Sequence, residues 1–136
     1  MASGIYNRLK ANLMNKEVDL EADTIKVALM ASAHSFTATD NVWSEVSSNE
    51  LSTGGGYTAG GKALASKAVT QGSSTKWDAD DVAWTSATFT AAHAVIYDDT
   101  LTNDDLIGSI DFGGNQSVSN GTFTIQWNVN GIVTLS

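Results

Sequence analysis

The sequence predicts a mainly β, single-domain antiparallel β-sandwich, jelly-roll-like, with a short N-terminal α-helix. Three observations carry this expectation. Apolar and polar residues alternate around Ile25 and around Phe123, turn residues punctuate the second half of the chain at short spacing, and a helical period is clear only near the N-terminus. At 136 residues and 42% hydrophobic content the chain is long enough to bury a core of its own. One domain over 1–136 is therefore expected, divided into a helix or arm over 1–16 and a sandwich body over 24–135.

Within 3–14, Ile5, Leu9 and Leu13 recur at spacings of four with Tyr6 beside them, and Asn7, Arg8, Lys10 and Asn12 fill the other face. This pattern predicts an amphipathic helix, capped by Ser3 and ended by Asn15 and Lys16. At about a dozen residues such a helix is marginal alone, so it must dock on its own domain or on another chain. Four acids, Glu17, Asp19, Glu21 and Asp23, lead into a strand over 24–30 whose Ile25, Val27 and Leu29 share the core face. Residues 33–52 are polar, with Asn41 to Val46 and Leu51 marking a short helix or turn that pins Trp43 to the body. Five glycines fall within 54–61, a flexible or tightly bent connection into a small-residue strand over 62–70. Four β-rich segments follow, at 82–90, 92–97, 106–112 and 121–135. The turns between them are read at 98–105, at Gly113, Gly114 and Asn115, at Asn120 and Gly121, and at Asn130 and Gly131.

Charge and composition remove several classes of function. The formal charge is -8, from 15 acidic and 7 basic side chains, and only Arg8, Lys10 and Lys16 lie near one another. Neither a nucleic-acid groove nor an anionic membrane surface is expected, since both need clustered cations. No apolar run approaches the roughly 20 residues that span a bilayer, and no basic segment leads into a hydrophobic stretch at the N-terminus. The lack of cysteine excludes disulfides, thiolate ligands and a cysteine nucleophile. Proline is also absent, where average usage of about 5% would place six or seven.

No catalytic residue, cofactor or metal is expected. Asp78, Asp80 and Asp81, with Asp98, Asp99, Asp104 and Asp105, offer hard oxygen ligands, but they lack the glycine and glutamate spacing of an EF-hand and read as solvated acidic turns. His34 and His93 are the only histidines, without a nucleophile elbow, a zinc-binding pair or a phosphate loop to join. His93 shares a strand face with Val95 and Tyr97, and His34 is placed in a solvated loop. Among the four tryptophans, Trp84 and Trp127 are assigned to the core. Trp43 and Trp77 flank loops and are candidates for contact with another chain, as are Ile5, Tyr6, Leu9 and Leu13 of the helix.

Several blocks taken in order carry a likeness. They are Thr24 through Leu29 (TIKVAL), Gly56 through Gly61 (GYTAGG), Trp77 through Trp84 (WDADDVAW), Ala94 through Tyr97 (AVIY), Leu106 through Gly113 (LIGSIDFG) and Gly121 through Trp127 (GTFTIQW). Together they resemble a family of small virion structural proteins of tailed bacteriophages. The resemblance implies a capsid decoration, or cement, protein on the outer surface of the head shell, a homo-oligomer with the major capsid protein as partner. A tail- or fibre-associated place, or a carbohydrate-binding β-sandwich module, is the alternative. The family brings no catalytic motif and locates no partner-binding residue.

Overall fold

A computed structural model describes residues 3–136; the first two residues of the expected 1–16 arm lie outside the described residues. Eight strands and one helix run in the order β1 (Gly4–Ile5), α1 (Asn7–Met14), β2 (Ile25–Met30), β3 (Lys62–Ala63), β4 (Ala68–Thr70), β5 (Thr75–Asp78), β6 (Val82–Asp98), β7 (Leu106–Ile125) and β8 (Val133–Leu135). They form two antiparallel sheets, ordered β1-β7-β6-β2-β3 and β4-β5-β8, so the fold is mainly β and sandwich-like, and not a closed barrel.

The backbone of the molecule is the β6–β7 ladder, paired from Val82 with Ile125 to Tyr97 with Leu106. At about 3.3 Å per residue this ribbon is roughly 50 Å long. The glycines that read as turns do not end strands here. Pairing jumps from Ala91 opposite Gln116 to His93 opposite Asp111, so four residues, Phe112 to Asn115, bulge against one. Gly113 and Gly114 adopt φ of 82° and 139° within that bulge, a conformation that side chains disfavour. Asn120, at φ 49°, serves the second shift, between Ala87 and Phe89. The expected segments 82–90 and 92–97 are therefore one strand, and 106–112 joins the first part of 121–135.

Two other expected strands divide because the chain changes sheets. Residues 62–70 break at Ser66, which has a positive φ of 55°, so β3 pairs with β2 while β4 pairs with β5. The segment 121–135 leaves the ladder after Ile125, turns at Gly131, and returns as β8 on β5. The glycine-rich stretch is bent and tied: Gly54 and Tyr57 exchange backbone hydrogen bonds of 2.8 and 3.1 Å, and Thr88 N–H donates to Gly55 O.

β2 is buried on both faces. Ile25, Val27 and Leu29 pack with Trp84, Tyr57, Leu64, Trp77 and Val133 between the two sheets. Ala28 and Met30 join Val95, Tyr97 and Leu106 on the opposite face, closed by Tyr6, Val46, Phe36 and Trp43. Each fully buried large apolar side chain contributes about 1.5–3 kcal/mol, so the cover over this second face stabilises the sheet as well as shielding it.

The helix begins later than its periodicity suggests. Gly4 and Ile5 are extended because they pair with Ser109 and Gly108 of β7, and Ser3 Oγ accepts from Asp111 N–H in place of capping the helix. Tyr6 N–H donates to Ile107 O, Leu9 is buried, and Asn12 Nδ2 donates to Asp105 Oδ2 at 2.8 Å. The helix thus docks on its own chain's β7.

Candidate functional site

The six residues expected to meet a partner do not form one surface. Tyr6, Leu9 and Trp77 are interior, and the Trp77 indole N–H donates to Leu20 O at 2.9 Å. These three serve the chain's own core: Trp77 lies on the central strand of the small sheet, and Tyr6 and Leu9 sit where the N-terminal segment joins β7. Ile5 and Leu13 are half-buried against the core. Trp43 is half-buried as well, stacked on Tyr97 with ring centres 4.6 Å apart, which is how the turn Trp43–Glu45 is pinned to the sheet.

His34 is not in a solvated loop; it is 2% exposed, because the segment after β2 folds back over the second face of the large sheet. Register explains its company. β6 and β7 pair Val95 with Ser109 and His93 with Asp111, which places His93, Ser109 and Asp111 on that same face. His34 Nε2 lies 3.0 Å from Ser109 Oγ, its ring meets His93 edge-on at 5.1 Å, and His93 Nδ1 is 3.8 Å from Asp111 Oδ1. A serine, two histidines and a carboxylate are the parts of a nucleophilic relay. Here they are packed shut. His93 is 6% exposed and Ser109 2%. The Asp111 carboxylate is beyond hydrogen-bond range of His93, and it serves the histidine that does not reach the serine. Burial, with the neighbouring His93, holds the His34 imidazole down at about 4, so it is neutral at pH 7 and ties the loop to the sheet.

The acidic turns also differ from expectation. Asp98 is fully buried, its Oδ1 accepting from Thr100 N–H at 2.9 Å while Oδ2 has no hydrogen-bond partner of good geometry. Burial first, and the adjacent Asp23 carboxyl second, push the Asp98 carboxyl up to about 7. The reason is topological. Asp98 ends β6 opposite Ile25, so the chain carries it into the sheet end while Asp99 reaches out to pair with Lys26 at 3.2 Å. Among the described residues no three of His, Asp or Glu are grouped as metal ligands.

An open groove of about 450 Å³ lies along the end of β7. Its walls include the half-buried rings of Phe112, Phe123 and Trp127, and its rim carries the exposed amides Gln116, Gln126 and Asn128. None of the residues lining it is charged. Trp127 packs only partly on the core, because β7 has ended and the chain is turning away. Its backbone N–H donates to Asp81 Oδ1 and its indole N–H to Asp80 O, each at 3.0 Å, which fixes the ring at the groove. The alternation through Phe123 and Ile125 conceals this, since it assigns Trp127 the same buried face. The signal available in the sequence is the Asn130-Gly131 turn close behind it.

Fold and groove together define a mainly β, sandwich-like domain with a concave, uncharged aromatic surface. No protein-family model, curated protein or solved structure matches the chain.

Proposed function

We propose that the chain is a non-enzymatic structural protein of a tailed-phage virion, a capsid decoration protein that binds the major capsid protein from outside as a homo-oligomer. The observation that carries this reading is the ordered set of blocks resembling small phage virion proteins. In the fold those blocks are β2, the tied glycine turn, the passage from β5 into β6, and β7, the elements that set the shape of the body. A small domain of this kind acts through contact area: modest affinity per copy, repeated over a lattice, adds to the stability of a shell. A charge of -8 suits the outer surface, away from packaged nucleic acid.

Met14, 89% exposed at the end of α1, is the apolar side chain the helix offers to a shell or a sister subunit. Deleting the whole N-terminal segment would remove Tyr6 and Leu9 from the core, so the informative variant is Met14→Glu. Co-sedimentation with capsids lacking the protein tests the reading, followed by electron cryomicroscopy of the decorated particle. Density at local symmetry axes of the outer shell is the expected result. Failure to co-sediment, or density confined to the tail, overturns it.

A further inference from the structure

We infer that the groove along the end of β7 is a binding site for a neutral oligosaccharide. This goes beyond the decoration role. Pyranose rings have apolar C–H faces that stack on aromatic rings and a girdle of hydroxyls that both donate and accept. Phe112, Phe123 and Trp127 supply the first kind of surface, and the amides of Gln116, Gln126 and Asn128, each able to donate and accept, supply the second.

Three further observations narrow the ligand. A volume of about 450 Å³ lies within the range of roughly 300–1,000 Å³ usual for small-ligand sites. The lining is free of charge in a chain that carries -8, so no lining group would neutralise a phosphate, sulfate or carboxylate on the ligand. Both polar hydrogens of Trp127 are already engaged: the Asp81 carboxylate accepts from its backbone, and the Asp80 backbone carbonyl accepts from its indole. Those bonds hold the ring in place before any ligand arrives, which lowers the ordering cost of binding.

A glycan array probed with the full chain, followed by titration of the hits by tryptophan fluorescence and amide NMR shifts, tests this. Neutral oligosaccharides should bind, with shifts centred on 123–128, and Trp127→Ala should raise Kd at least tenfold. Because Trp127 also touches the core, Gln126→Ala, at an exposed position, serves as the variant that leaves the fold intact; a several-fold weakening is expected. Absence of binding up to millimolar glycan overturns the inference. So does tighter binding of acidic glycans, or affinity unchanged in Gln126→Ala and Trp127→Ala. If Gln126→Ala abolishes capsid co-sedimentation while no glycan binds, the groove is a shell contact: the decoration reading stands and the glycan site falls.

Discussion

Replacing Asp98 by Asn should stabilise the protein above neutral pH and expose a pH dependence that the parent conceals. Asp98 is fully buried and its carboxyl stands at about 7, against an ordinary value of 3.8. Between those values the folded state holds a proton that the unfolded state has released. The contribution is therefore fully present below about 4 and lost as pH rises through 7, at up to about 1.4 kcal/mol per unit. His34 acts in the opposite sense. Its folded value of about 4 lies below its ordinary 6.5, so its contribution is present above 6.5 and lost on acidification to 4, about 3 kcal/mol. Over the shared window the two oppose each other. In Asp98→Asn the amide keeps the acceptor for Thr100 N–H and donates to Asp23 without ionising. The variant should gain about 1–3 kcal/mol over the parent at pH 8, and its stability should then fall between pH 6.5 and 4.5 with the His34 slope unopposed. Urea unfolding followed by tryptophan fluorescence from pH 4.5 to 8 measures both quantities. A variant less stable than the parent at pH 8, or a pH slope identical to the parent's, would refute the reasoning.

Three further substitutions probe the frame. Leu9→Ala, at the helix–sheet contact, should cost about 2–5 kcal/mol in urea unfolding, since a buried leucine is removed from a closed site; a loss below 1 would mean the helix is dispensable. Trp77→Phe removes the indole bond to Leu20 O together with buried ring volume and should lower stability by about 2–3 kcal/mol, read by the same assay. Gly61→Ala places a Cβ against the Val27 carbonyl at a φ of 83°, and should destabilise by more than 1 kcal/mol. The matched Gly54→Ala, with nothing within 4 Å of its Cβ, controls for backbone strain alone.

How far the sequence determined these features depends on which interactions are local. The strand at Ile25, Val27 and Leu29 and the docking of Trp43 follow from patterns a few residues wide, and both stand in the structure. The meaning of Gly113, Gly114 and Gly121 does not. The same residues make a turn when the chain reverses and a bulge when a partner strand continues opposite, and only β6 decides between them. Burial of His34 and Asp98 was illegible for a related reason. Both are polar residues at or just past the end of a strand, where a sequence reads as turning to solvent, and each is enclosed by elements far away in sequence: β6 and β7 around His34, Asp23 beside Asp98. Trp127 shows the converse error, an unbroken alternation that outlasts the strand producing it.

The β6–β7 ribbon has a kinetic consequence. Its strands are joined by the short loop at 99–105, so their pairing can begin with a small loop closure and proceed residue by residue toward Val82 and Ile125. Apart from the short β4–β5 pair, every other strand adds to a partner that is distant in sequence: β1 must find the start of β7, and β8 must find β5. The hairpin is thus the natural nucleus, and the two ends of the chain are the last parts to arrive. With no proline in the sequence, their arrival is not delayed by prolyl isomerisation, so refolding should lack the phase of tens to hundreds of seconds that this step imposes.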